Sequence, residues 1–72
     1  MVLNVYPNPS NGVFNFSLSN DIIQEFIITD AMGRLVEKGL SSKRFNVDLN
    51  GEPSGLYLLS IQGVVSSRLV VK

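Results

Sequence analysis

With 72 residues, the chain has room for a single small domain, so we expect residues 1–72 to form one folding unit. Six basic and six acidic residues cancel, which argues against nucleic-acid binding and against attachment to anionic membranes by charge. The chain has no cysteine and no histidine, so disulfide bonds and zinc sites are excluded, and the 44% of hydrophobic residues must supply the core. No apolar run approaches the roughly 20 residues of a membrane-spanning helix.

A first strand over residues 2–6 runs into a proline-rich turn. Pro7 and Pro9 fix their own φ angles and push the residue before each of them toward an extended conformation, which predicts a stiff, extended segment. Asn11 and Gly12 then supply the positive φ that a tight chain reversal requires. The pattern predicts an edge strand that ends in a rigid turn.

Two longer strands follow, over residues 13–18 and 22–30, with a turn at 19–21 between them. The first of them alternates with period two, which is typical of a strand that buries one face. An outward Ile27 on the second of them indicates that part of its outer face is also covered. The side chains predicted to point inward are Phe14, Phe16, Leu18, Phe26 and Ile28.

A hairpin connects the third predicted strand to the fourth. Asp30 can accept hydrogen bonds from the backbone amides of the turn, and Gly33 can take the left-handed conformation that closes it. The return strand covers residues 34–38 and ends at Gly39, and residues 40–43 form a loop.

The last third of the chain is its most continuously apolar part. Residues 44–49 alternate, residues 55–61 form a buried strand, and residues 67–72 form a last strand after a turn at 62–65. We expect that last strand to close a sheet. The inward side chains are Phe45, Val47, Leu49, Tyr57, Leu59 and Ile61.

The fold class follows from these elements. Leu56 and Leu58 make the strand over residues 55–61 apolar on its second face as well, which is typical of a central strand. Seven short strands separated by turns, with no helical period, predict an all-β protein. We expect a small seven-stranded antiparallel β-sandwich of immunoglobulin-like type.

The sequence has no arrangement typical of an active site, so we expect neither an enzyme nor a cofactor. A hydrolase needs a nucleophile with a base, or two carboxylates placed together. A nucleotide site of the common kinds needs a glycine-rich loop between a strand and a helix. The carboxylates are scattered without a motif, at Asp21, Glu25, Asp30, Glu37, Asp48 and Glu52.

Two pairs of residues allow a functional and a structural interpretation. Asp30 and Asp48 could meet near loops and bind calcium, but we favour one serving its turn and the other being solvated, with no metal site. Tyr6 and Tyr57 could form part of a sugar-stacking platform, although Tyr57 occupies a predicted core position.

Three motifs combine turn residues with the start of a strand. The first lies in the proline-rich turn and contains Pro7, Asn8, Pro9 and Gly12. The second lies in the central hairpin and contains Asp30, Gly33, Arg34 and Val36. The third lies at the start of the buried strand and contains Gly55 and Tyr57. An apolar end flanked by basic residues follows, with Arg68, Leu69, Val70, Val71 and Lys72.

In this order and spacing, the motifs resemble the C-terminal sorting domain of cargo proteins of the type IX secretion system. Turn chemistry explains each motif alone, but together they cover nearly the whole chain. The resemblance implies a sorting signal that an outer-membrane translocon recognises after transit through the periplasm, and that directs its cargo to the cell surface or the medium. It also implies a sortase-like peptidase that usually removes the domain. A cargo domain would lie upstream, so we expect this chain to be the excised end of a longer protein of Gram-negative bacteria.

Two other functions stay open at this point. A row of surface aromatics would indicate a small adhesive or carbohydrate-binding sandwich appended to an enzyme, and a position in mid-chain would indicate a spacer. The apolar last strand, ending in Leu69, Val70 and Val71, also suggests partner binding by strand addition at its edge. Exposed edge strands would in the same way permit a homodimer.

Overall fold

Seven β-strands make up the regular structure of residues 3–19 and 22–72, which are the residues that the computed structural model describes. Within these two segments no helix is long and apolar enough to cross a membrane. The prediction of an all-β fold is confirmed. The strands are β1 (Leu3–Tyr6), β2 (Val13–Leu18), β3 (Gln24–Asp30), β4 (Leu35–Ser41), β5 (Arg44–Asp48), β6 (Gly55–Ile61) and β7 (Val64–Val71).

The strands form two antiparallel sheets, one of three strands in the order β1-β2-β5 and one of four in the order β4-β3-β6-β7. A constant-type immunoglobulin domain places its fourth strand beside the fifth, in the sheet of the first two strands. Here β4 pairs with β3 instead. This pairing contains a β-bulge after Ile28, where one step along β3 corresponds to two residues on β4. The predicted seven-stranded antiparallel sandwich is confirmed, and β3 and β6 are the central strands of the larger sheet.

Alternation along the strands fills the space between the sheets with aliphatic and aromatic side chains. Phe45 is half-buried, and its ring stacks on two others. The ring centroids are 4.8 Å apart for Phe16 and 5.2 Å apart for Phe26 of the other sheet. The remaining side chains predicted to point inward are all buried, so the assignment of faces is correct. The buried apolar residues are Phe14, Phe16, Leu18, Phe26, Ile28, Val47, Leu49, Tyr57, Leu59, Ile61, Leu69 and Val71.

Strand β4 is longer than the sequence predicts. Gly39 does not end it; the strand continues to Ser41, so that only residues 42–43 remain of the predicted loop. Gly39 pairs with Phe26, and a Cβ atom at position 39 would lie 3.0 Å from the Phe26 ring. The glycine therefore makes room for an aromatic ring rather than terminating the strand.

The turn between β6 and β7 is shorter than predicted. It consists of Gln62 and Gly63 alone, with φ angles of 53° and 78°, and Ile61 pairs directly with Val64. Positive φ at both central residues is the type I′ geometry, which matches the twist of the strands it joins. The last strand accordingly begins at Val64, three residues before the predicted start.

Other boundaries shift by one or two residues. Strand β3 begins at Gln24 rather than at residue 22, and β5 ends at Asp48, although Leu49 beyond it is buried. Part of the predicted first strand and of the turn at 19–21 lies outside the described residues.

We expect Gly12→Ala to destabilise the domain more than Gly33→Ala. Both glycines have positive φ, 144° at Gly12 and 87° at Gly33, a backbone conformation that costs an L-residue roughly 1–2 kcal/mol. A Cβ atom at position 12 would also collide with the side chain of Asn50, whereas one at position 33 would meet no atom within 4 Å. Urea unfolding followed by circular dichroism measures both losses. Equal losses would contradict a role for the Asn50 contact.

Candidate functional site

The three sequence motifs meet at one end of the sandwich. Ser10, just after the first proline-rich residues, forms a bridge with Val71 on β7. Val71 pairs with Gly55 of the third motif, and Asp30 of the second motif pairs with Tyr57 two residues further along. We call this the motif end, defined by residues 7–12, 30–34, 52–57 and 68–72.

The proline-rich turn does not adopt the extended form that the sequence predicts. Residues 7–9 bend, and the Tyr6–Pro7 and Asn8–Pro9 peptide bonds are both cis. The prediction considered the φ restriction that proline imposes, but proline also permits a cis bond before it, which the sequence does not specify. The bend directs the chain onto the last strand.

Asn8 and Ser10 bind the outer edge of β7. The Asn8 side-chain amide donates to Arg68 O at 2.8 Å, and its Oδ1 accepts from Val70 N at 3.0 Å. Ser10 N donates to Val70 O at 2.9 Å, and Lys72 N donates to Ser10 O at 2.8 Å. With one donor and one acceptor, the Asn8 side-chain amide thus bonds β7 as a backbone peptide group of a neighbouring strand would.

These contacts argue against the expectation that a partner adds a strand to the edge of the terminal strand. Strand addition by a partner at residues 68–72 would need backbone groups that Asn8 and Ser10 already occupy. The apolar sequence of β7 predicts a strand but carries no information on what covers its edge. A homodimer through edge strands stays a prediction.

Ser10 anchors the first motif, a role that the sequence analysis missed. Its side chain is buried, and the hydroxyl donates to Val13 O at 2.6 Å while accepting from Gly12 N at 3.1 Å. Serine hydroxyls commonly bond nearby backbone groups in turns, and that signal could have identified it. Gly12 lies next, with its carbonyl accepting from Leu49 N at 2.7 Å.

The second motif is a turn organised by one carboxylate. Asp30 Oδ1 accepts from Met32 N at 2.9 Å and from Arg34 N at 3.0 Å, and Oδ2 accepts from Arg34 Nε at 2.8 Å. The hydrogen bond from the Arg34 backbone amide, and then that from its guanidinium, hold the pKa of Asp30 below its usual value against the opposing effect of burial. Gly33 has the predicted positive φ.

In the third motif, Gly55 begins β6 with a φ of 150°, and Tyr57 is buried in the core. The Tyr57 hydroxyl donates to Pro53 O at 2.5 Å. Burial, and then the Glu52 and Asp30 carboxylates, raise the pKa of Tyr57. Because its ring is buried, Tyr57 offers no surface on which a sugar could stack.

An open cleft of about 250 Å³ separates the second motif from the third. Its lining combines the charged groups of Asp30, Arg34 and Glu52 with the apolar side chains of Met32 and Leu56. Among the described residues, Met32 is the most exposed large apolar side chain at 82%, and Leu56 is 42% exposed. The lining of the cleft is therefore partly charged and partly apolar.

The two aspartates considered for calcium each serve their own turn. Asp30 binds the hairpin, and Asp48 Oδ1 accepts from Asn50 N at 2.8 Å. Among residues 3–19 and 22–72, no group of three or more acidic side chains is arranged to hold a metal ion.

The residues singled out from the sequence divide into two sets. One set is buried or packs against the core and shapes the motif end from within: Gly12, Val36, Tyr57, Leu69 and Val71. The other set is exposed to solvent and available to a partner: Pro7, Asn8, Pro9, Gly33, Arg34, Gly55, Arg68, Val70 and Lys72. Asp30 lies between these sets, because its carboxylate is mostly covered by the turn it organises.

A family described as "Secretion system C-terminal sorting domain" matches residues 4–72. The match contains all three motifs. No curated protein matches the chain significantly.

Asp30→Asn should lower the melting temperature at neutral pH and make stability less dependent on acid. Because the folded-state pKa of Asp30 is lowered, its contribution is complete above its unfolded pKa of about 3.9 and is lost as pH falls through the lower folded value. Asparagine keeps an acceptor for the turn amides but carries no charge for Arg34. The melting temperatures of the two proteins should converge as the pH falls below that unfolded value. A difference that stays constant with pH would contradict this.

Asn8→Ala should release the Val70 amide without unfolding the domain. The variant loses both side-chain bonds to β7, so we expect a stability loss of roughly 1 kcal/mol and faster hydrogen exchange at Val70. Lys72 N should stay protected, because its partner is the backbone of Ser10. Asn15→Ala is the matched control, since its amide donates only to Tyr6 O at 3.2 Å. Unchanged exchange at Val70 would rule out the Asn8 bond in solution.

Proposed function

Because the chain belongs to the family of secretion-system C-terminal sorting domains, we propose that an outer-membrane translocon of the type IX system reads its motif end. As a type IX sorting signal, the domain directs its cargo to the cell surface or the medium. Members of this family are sorting signals and not catalysts. The cargo lies upstream and crosses the periplasm before it is recognised.

The observation that carries this proposal is the convergence of the three motifs. The first motif and the basic-flanked end of the chain are far apart in sequence, yet the Asn8 side-chain amide bonds the backbone of Arg68, 60 residues later, directly. A signal that serves many cargoes has to present its contacts without help from the cargo. A single folded end, held by hydrogen bonds between the first and last parts of the domain, meets that requirement.

Charge at the motif end indicates what the receptor presents. Arg34, Arg68 and Lys72 are exposed, whereas Asp30 is neutralised by its ion pair with Arg34 at 2.8 Å. Of the acidic side chains there, Glu52 is left without such a pair in the described structure. Because the same ion pair neutralises Arg34, we expect the receptor surface to bear carboxylates opposite Arg68 and Lys72.

Removal of the domain completes the proposed route. A sortase-like peptidase cuts the chain upstream of β1, which frees the cargo or joins it to the cell surface. The peptidase has no need to recognise the core of the sandwich, because the first strand is already paired with β2 from Leu3 onward.

A fusion assay tests the proposal. The domain is joined through its native upstream linker to a periplasmic fluorescent reporter, in a host that has a type IX system. We expect reporter at the surface and in the medium, and its loss when the translocon is deleted. A second fusion with Arg68→Gln and Lys72→Gln should be exported less well, since both cations are exposed and neither forms a side-chain ion pair among the described residues. Wild-type reporter that stays in the periplasm, with the domain shown to be folded, would overturn the proposal.

A further inference from the structure

The outer face of the four-stranded sheet is unusually apolar. An antiparallel sheet of a sandwich commonly has one buried face and one polar, solvated face. Here the solvated face carries a set of aliphatic side chains that we call the outer aliphatic face. Its members are Ile27, Leu35, Leu40, Leu56, Leu58, Val65 and Val70.

Strand register places these side chains together. Leu56 pairs with Val70, and Ile27 faces Val65 across Ser60, so the set runs over adjacent strands. Several members are strongly exposed, with 69% at Leu40, 61% at Val65, 58% at Leu35, and 42% and 40% at Leu56 and Val70.

The three-stranded sheet provides an internal comparison. Its outward positions are mostly polar, and in chain order they are Asn4, Tyr6, Val13, Asn15, Ser17, Arg44, Asn46 and Asp48. The same small domain therefore has one outer face of ordinary polarity and one that is aliphatic. A contiguous exposed apolar patch of this kind marks an interaction surface.

The charges on the outer aliphatic face are mainly positive. Lys38 pairs with Ile27, and Arg68 pairs with Leu58, so both cations stand among the aliphatic side chains. Glu25 is the one acidic residue at the outward positions of the four described strands of this sheet, and it lies at the far end beside Leu40. A complementary surface would be apolar and would carry carboxylates.

The size of the face argues against a stable pair of domains. Four strands at about 4.8 Å spacing and roughly 20 Å of strand length give on the order of 400 Å². A stable complex buries about 800 Å² on each partner. A second copy stacked on this face alone would fall short. Leu56 and Val70, however, also lie at the motif end, so a partner that holds that end reaches this face without a gap.

We infer that the outer aliphatic face is a second contact surface for the translocon protein that reads the motif end. The partner supplies an apolar surface with carboxylates opposite Lys38 and Arg68. This inference rests on the proposed sorting function. It adds a surface whose members Ile27, Leu40 and Val65 lie outside the sequence motifs and outside the motif end.

The experiment compares outward aliphatic positions on opposite sheets, and the positions changed on the outer aliphatic face lie outside the motif end. Val65 is 61% exposed on the outer aliphatic face, and Val13 is 42% exposed on the polar face. Threonine is β-branched like isoleucine and valine and has a similar strand preference, so the variants keep strand-forming side chains while apolar contact is lost. The reporter fusion is made with Ile27→Thr, Leu40→Thr and Val65→Thr combined, and separately with Val13→Thr.

We expect the exported fraction to fall about tenfold in the triple variant and less than about twofold in the Val13→Thr control. Melting temperatures of the purified domains verify that each variant is folded. Export of the folded triple variant at the wild-type level would overturn the inference while leaving the proposed function intact. Failure of the wild-type fusion would instead count against the proposed function. A wild-type domain that sediments as a dimer, with a monomeric triple variant, would assign the face to a second copy and also overturn the inference.

Discussion

Asn8 and Ser10 bond four backbone groups of residues 68–72, and these bonds hold the two sheets of the domain together along one side. Strand β1 belongs to one sheet and β7 to the other, so the segment that follows β1 joins the sheets by hydrogen bonds as well as by the apolar core. The bonds to β7 help to hold the turns of the motif end together.

Much of this fold could be predicted from alternation in the sequence. Period-two patterns identify β2 and β5 and the buried side of each, because one face must pack and the other need not. The same reasoning fails at Gly39, where a small residue accommodates the Phe26 ring from another strand. It also fails at the bend after Tyr6 and at the edge of β7. Those features depend on contacts between residues far apart in sequence, which local patterns do not contain.

The candidate site was predicted in part. Whether a residue's role could be predicted depends on whether its partners are near or far in sequence. Motif residues such as Asp30 and Gly33 act within their own turn, so the sequence specifies their role. Residues such as Ser10 and Asn8 act on β7, about sixty positions away, and only the folded chain shows it. The outer aliphatic face is visible in the sequence as Leu56 and Leu58, but an apolar outer position there is equally compatible with a covered central strand. The structure of the described residues shows that face open.

The direction of β1 separates recognition from attachment. Leu3 pairs with Leu18 at the end of β2, whereas the motif end lies where β2 begins, about 20 Å away along the six-residue strand. A polypeptide that precedes β1 therefore joins the sandwich at the pole opposite to the motifs. A receptor bound to the motif end leaves the opposite end, where the preceding polypeptide joins, pointing away from itself. In the proposed route, a peptidase can then reach the junction while the receptor stays bound, because receptor binding and cleavage occur at opposite ends of the domain.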